Sequence, residues 1–398
     1  MEGSNLRKAA KTFVYAGNWT VQTDETESGI GIYEYNEING SLRYIDTVRR
    51  DLTAGMMVVD ERRGTLYSVD EQKNSPAFAM QGGGGRIAAF SIDPESGLLS
   101  ELGDEQPSFG TLADYVAEDP GGNWLVVVNH GDKQTITKAV KDADGVYRVK
   151  TEFSDVTASL YPLDADGSIL PAADVLFFPP DRSRMPVSLP CLHSVYFAHD
   201  GEHLIVMNMK QDEVIMLHLD KIAGKLSVCG KLKCRNGTWP RYGVFHPVKD
   251  IYYFNNEHAL LVNALSYNAG GEMKLIQTVD STPGLSCVQE GRRISQSDIR
   301  ISRDGRFIYD FYRYTDCAAV FAVNPEDGRI RMIQSMELTE KKPRGCCISP
   351  DGRFMLVANM NGSISTMAIG PDGCLSETGI VDRHMKYPGN IVFYQPRC

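Results

Sequence analysis

The chain has 398 residues, 42% hydrophobic and 23% charged, with a formal net charge of −10, the composition of a globular protein with a large core rather than a disordered one. That charge, without any dense Lys/Arg run, excludes a nucleic-acid surface, because phosphate binding needs a positive footprint. No run of eighteen apolar residues could span a membrane, and the opening MEGSNLRKAAKTFVYAG carries no apolar leader, so a cytoplasmic protein with no membrane partner is expected.

The first apolar segment, FVYAGNW (13–19), is one copy of a strand that recurs along the chain. TLYSVDE (65–71), WLVVVNH (124–130), HLIVMNM (203–209), IYYFNNE (251–257), FIYDFYR (307–313) and FMLVANM (354–360) follow. Most copies are preceded by a tight turn: PGG (120–122), HDG (199–201), RDG (303–305) and PDG (350–352), with PVK (247–249) in the same place. Gly and Asp supply the backbone angles of a hairpin there, so an inner strand precedes each turn and the recurring strand follows it. A third strand comes next, as in GIGIYEY, DEVIMLHLD or CAAVFAVN, then a second turn and a weaker fourth strand such as LSVCGKL or IRMIQSM. Four antiparallel strands repeated about every fifty residues match a propeller blade. Seven copies predict an all-β, seven-bladed β-propeller with four-stranded antiparallel blades.

The first copy has no inner strand before it, while YPGNIVFYQP (387–396) is an inner strand with nothing after it. Blade 1 is therefore expected from about 12–50 plus 387–396, within a single domain spanning 1–398, and this pairing of the chain ends leaves no open sheet edge. The long gap between His130 and Met209 predicts an insertion at about 164–190, a proline-rich segment that would cover the channel as a lid or run over the surface. The run QGGGGR (81–86) lacks the strand-before, helix-after context of a phosphate loop and reads as a turn. The nine cysteines have no zinc-site spacing, and the adjacent Cys346 and Cys347 would point to opposite faces of a strand, so reduced, mostly buried thiols are expected. Neither a metal nor a cofactor is expected.

Each blade offers two positions at the channel: the start of its inner strand and the end of the next. The first column reads Gly55, Asp114, His193, Arg241, Ser297 and Arg344, and the second Trp19, Glu71, His130, Met209, Glu257, Arg313 and Met360. Blades 4 to 6 thus gather His193, Arg241, Glu257 and Arg313. A carboxylate and an imidazole can serve as general base and acid. Two guanidiniums can hold an anion or stabilise charge developing on oxygen. Arg and Glu pairing across blades merely to stiffen a channel mouth is the alternative reading of the same columns.

Segments carrying these residues resemble the propeller-type lactonase family, which includes bacterial 6-phosphogluconolactonase and fungal carboxy-muconate cyclase. They are GNWT (17–20), LHSVYFAHDGEHLIVMN (192–208), PRYGVFHP (240–247), YYFNNE (252–257), SDIRISRDGRFIYDFYR (297–313) and KPRGCCISPDGRFMLVAN (342–359). The resemblance implies His193, Glu257 and Arg241 as catalytic residues with Arg313 binding substrate; Cys191 and Tyr242 stand where the family usually has histidines. Arg184, His130, Glu71, Tyr242, Asp298 and Arg344 complete the candidate substrate-binding set. The function expected is hydrolysis of an anionic sugar-acid lactone of the 6-phosphogluconolactone type, with a small anionic substrate as partner. The alternatives are a cycloisomerase or lyase acting on an anionic sugar or diacid, and a non-catalytic propeller that binds a metabolite or a protein.

Overall fold

The computed structural model describes residues 11–21, 28–74, 83–132, 135–183, 185–281 and 294–396. Seven antiparallel sheets are arranged as blades, six of four strands and one, blade 2, of five, in which Gln106–Pro107 pairs with Arg86–Ile92 beside Leu99–Glu101. Blade 1 is ordered Leu42–Val48, Ile30–Tyr35, Thr12–Asn18, Pro388–Tyr394, so the C-terminal strand is its innermost member and pairs Phe13 with Tyr394 and Tyr15 with Val392. Both chain ends thus complete one blade and close the ring, as the sequence predicts. No helix among the described residues is long and apolar enough to cross a membrane.

The recurring strand is the second in each blade, and its residues are buried on both faces, as in His203–Asn208 and Ile251–Asn256. Each blade packs on two neighbours, so both faces are core, and period-2 alternation gives way to continuous apolar runs. Outer strands such as Lys225–Lys233 are mostly exposed. The core is accordingly a set of blade-to-blade contacts. Val14, Ala16 and Tyr33 of blade 1 pack with Leu356, Ala358 and Ile364 of blade 7, which seals the ring where the chain ends meet. Burying each Val, Leu or Ile fully contributes about 1.5–3 kcal/mol. A tyrosine device repeats between blades: the hydroxyls of Tyr15, Tyr67 and Tyr253 donate to the carbonyls of Gly97, Gly167 and Gly328 in the next blade at 2.8, 2.9 and 2.7 Å.

Three expectations need correction. Within 164–190, Asp174–Phe178 is the outer strand of blade 3, paired with Val156–Pro162. The residues added to that blade are a two-stranded hairpin, Thr135–Lys141 with Tyr147–Phe153, between its second and third strands. The hairpin lacks the apolar run of a core strand because it packs on no neighbouring blade; Ile136, Tyr147 and Val149 are exposed. Cys317 is disulfide-bonded, against the expectation of reduced thiols throughout. Of the six free cysteines described, only Cys191 and Cys346 are buried, since others such as Cys229 lie on outer strands.

Candidate active site

Inner strands begin and second strands end at the same mouth of the channel. Here the ladders are irregular in every blade. The pairing steps from Leu192 to Ser194, from Pro240 to Gly243, from Pro343 to Gly345, and from Ala113 to Tyr115, so His193, Arg241, Arg344 and Asp114 are left out of it. The same shift skips Gly55 in blade 2, Ser297 in blade 6 and Gly389 in blade 1. A bulge re-aims the side chain of the extra residue, and here that turns the first column toward the channel. Second-column residues lie one position beyond the strands ending at Asp70, Asn129, Asn256 and Tyr312.

A cavity of about 430 Å³ lies at this mouth, lined by both columns: Trp19, Glu71, Asp114, His130, His193, Met209, Arg241, Glu257, Arg313 and Arg344. Beneath it Tyr242 packs edge-on to His193, with ring centroids 5.1 Å apart, and to Tyr115 at 5.5 Å. On the far side a cavity of about 500 Å³ opens at the opposite mouth, lined largely by apolar side chains such as Met56, Val58, Val195, Val244 and Ile391. Convergent titratable groups make the first cavity the candidate site.

Three clusters make up its polar wall. His193 Nδ1 lies 3.0 Å from Asp114 Oδ2, a close contact whose angle falls short of a hydrogen bond. Burial pushes the His193 imidazole below its ordinary value against the pull of Asp114, and burial would raise the Asp114 carboxyl, yet His193, His130 and Arg344 together hold it low. At neutral pH this is a neutral imidazole facing a carboxylate, with its proton on Nδ1 and a lone pair on Nε2. The His130 ring lies 5.8 Å from that of His193, and burial lowers its pKa too.

In the second cluster Glu257 bridges two guanidiniums, with Oε2 3.2 Å from Arg241 Nε and Oε1 3.3 Å from an Arg313 terminal nitrogen. Arg241 also donates to the Ser297 carbonyl and lies over the Tyr242 ring, while Arg313 donates to Ser295 Oγ at 2.9 Å. Burial would raise Glu257, yet Arg313 and then Arg241 hold it at about 2. It is a fixed carboxylate. Burial and the Arg241 charge bring Arg313 down to about 10, and it stays cationic at neutral pH.

The third cluster is Trp19, Glu71 and Arg344. Trp19 Nε1 donates to Glu71 Oε2 at 2.6 Å, and the Arg344 guanidinium lies 4.3 Å from the indole centroid. Burial and the nearby Asp114 push Glu71 up to about 8, against Arg344 and the Trp19 hydrogen bond. Its carboxyl is protonated at neutral pH. Gly55 makes this packing possible, because a Cβ there would sit 2.4 Å from Glu71 Oε2.

Of the residues singled out from the sequence, His193, Glu257, Arg241, Arg313, His130, Glu71 and Arg344 line the cavity. Tyr242 lies under it rather than in its wall. Asp298 is turned away: its carboxylate takes the Arg300 guanidinium at 2.8 Å and the Cys346 backbone N–H at 2.8 Å, tying blade 6 to blade 7. Arg184 lies outside the described residues. Asp114 and Trp19 stood in the columns without an assigned role. Lys210, Trp239, His258 and Tyr314 also line the cavity; three of them directly follow a second-column residue, the one signal that could have found them. Among the described residues no group of three or more His, Cys, Asp or Glu is placed to hold a metal ion.

A family model described as "Lactonase, 7-bladed beta-propeller" matches residues 13–384. Similar proteins include a 6-phosphogluconolactonase of Formosa agariphila, 24% identical over 87% of this chain and 89% of that one, and one of Bacillus subtilis, 24% identical over 87% of each. Among solved structures, a periplasmic gluconolactonase of Pseudomonas aeruginosa superposes with a TM-score of 0.79 at 21% identity, covering 98% of this chain and all of that one. A protein from Lactobacillus plantarum superposes with a TM-score of 0.75 at 22% identity, covering 97% and 100%. With the match running across all seven blades, the chain belongs to the seven-bladed β-propeller lactonase family.

Proposed function

We propose that this protein is a lactone hydrolase acting on an anionic sugar-acid lactone of the 6-phosphogluconolactone type. The observation that carries this reading is the neutral His193, paired with Asp114, in one cavity with the Arg241–Glu257–Arg313 cluster. Relatives named 6-phosphogluconolactonase support the substrate class.

Water attacks the lactone carbonyl carbon while His193 Nε2 takes one of its protons, and Asp114 stabilises the imidazolium that forms. The carbonyl π pair becomes an oxyanion facing Arg241 and Arg313, which are preorganised by Glu257, Ser297 and Ser295 and need no rearrangement. When the intermediate collapses the ring C–O bond breaks, and the departing alkoxide takes the proton back from His193 to give the open hydroxy acid. Glu257 is a poor base here, since two guanidiniums hold it at about 2. A cytoplasmic place of work belongs to the same proposal. Six free cysteines among the described residues support it, whereas the Cys317 disulfide speaks for an oxidising compartment instead.

Mixing the purified protein with 6-phosphogluconolactone and subtracting spontaneous opening tests the reading. Saturable acceleration is expected; a folded protein that leaves the opening rate unchanged would contradict this substrate.

A further inference from the structure

Three guanidiniums line the cavity, and they are not equivalent. Arg241 and Arg313 are each tied to Glu257 and to a serine oxygen. Arg344 makes no hydrogen bond to any described residue. Its side chain is 3% exposed, and its Nε is buried and unpaired. The oxygen it approaches, Glu71 Oε2, is 3.7 Å away and already accepts the Trp19 indole N–H at 2.6 Å.

A guanidinium offers five donors in a planar fork and does not give up its charge. Buried charges are ordinarily paired, because an uncompensated one is strongly destabilising. Glu71 does not supply that counter-charge, since burial pushes its carboxyl up to about 8 and leaves it neutral at pH 7. Packing fixes the cation in place: Trp19 stacks against it, and Gly389 leaves room for both, since a Cβ there would come within 2.6 Å of Trp19 Cβ and 3.5 Å of Arg344 Cδ. The wall therefore presents a preorganised cation with hydrogen-bond donors left unused; it feels the Asp114 carboxylate electrostatically but makes no close ion pair with it, and it stands apart from the Arg241–Arg313 pair.

We propose that Arg344, seated on Trp19 beside Glu71, is the subsite for a second anionic group of the substrate, a phosphate or carboxylate remote from the lactone carbonyl. This rests on the lactonase reading for its view of which group reacts. Arg344 decides which lactones bind, and the Arg241–Arg313 pair stabilises the reaction. A neutral Glu71 can add a hydrogen bond to the same anion as donor.

Titration calorimetry at pH 7 with inorganic phosphate, and separately with malonate, tests the subsite without requiring turnover. Wild type is expected to bind at one saturable site, with the tighter of the two probes identifying the anion class, and Arg344→Gln to bind about 10- to 100-fold more weakly. Equal affinity in the variant, or no binding of either anion by wild type, overturns the proposal. Should Arg344→Gln not fold, phenylglyoxal labelling of wild type decides: phosphate is expected to protect Arg344, and labelling unchanged by phosphate overturns the subsite. Anion binding that depends on Arg344 in a protein that opens no lactone would support the subsite and sink the lactonase reading. Lactone turnover whose preference for phosphorylated over neutral gluconolactone is the same in Arg344→Gln would overturn the subsite and leave that reading standing.

Discussion

His193 Nδ1 lies 3.0 Å from Asp114 Oδ2 across the junction of blades 3 and 4, and both residues are bulged out of their inner strands toward the same cavity. In the proposed mechanism Asp114 faces the imidazole and stabilises its protonated form. Asp114→Asn is therefore expected to lower kcat by about 10- to 100-fold, less than loss of the base itself. It should also move the acid limb of the pH profile to lower pH, because the Asp114 charge raises the His193 pKa. A reduced rate with an unmoved acid limb would assign Asp114 a purely structural role.

Glu257 holds two buried cations together. Glu257→Gln leaves Arg241 and Arg313 facing each other without a counter-ion, and breaking a buried pair this way costs about 3–5 kcal/mol. Urea unfolding is expected to show a loss of that size alongside a fall in turnover. A variant as stable as wild type would mean that the cluster is not the electrostatic unit described here.

Glu71 sets an alkaline limit. Below about pH 8 its carboxyl is neutral; above that it ionises, pairs with Arg344, and repels an anionic substrate from a wall it shares with Asp114. KM is expected to rise above about pH 8, and Glu71→Gln to flatten that rise. The same shift bears on stability. The folded state keeps a proton that the unfolded chain releases near 4.5, so more protons are bound when folded, and this group's contribution falls as pH rises from about 4.5 to 8. Thermal melts of wild type and Glu71→Gln across that window check the sign: the difference between them should shift in favour of the variant as pH rises.

Gly17 tests how tightly blades 1 and 2 pack. A Cβ there would lie 2.1 Å from the Ala54 carbonyl oxygen of the next blade, and backbone cannot step aside as a side chain could. Gly17→Ala is expected to cost about 1–3 kcal/mol, the usual range for overpacking a core. An unchanged melting temperature would show that blades 1 and 2 part more easily than the close contact implies.

The seven recurring strands were legible because a strand packed on both faces must be apolar along its length, and the hairpin turns before it keep their Gly and Asp. The two columns followed from that register and held most of the cavity wall. The bulges were not legible, since no residue type announces one, so the columns named Asp114 without revealing that it meets His193. Asp298 was misjudged for the same reason: it follows the bulged Ser297, and its carboxylate is spent on Arg300 and Cys346. The hairpin Thr135–Phe153 was overlooked because its strands bury little, and Asp174–Phe178 was absorbed into a presumed insertion because the hairpin lengthens the gap before it.

The most direct test of the central claim compares wild type with His193→Gln in opening 6-phosphogluconolactone at pH 7, corrected for spontaneous hydrolysis, with circular dichroism confirming that both are folded. Saturable turnover is expected in wild type, with a loss of about 10²- to 10⁴-fold in the variant, the scale of removing a general base. Equal turnover in the two proteins would contradict the assignment of His193 as the base, and no turnover in either would contradict the lactone hydrolase itself.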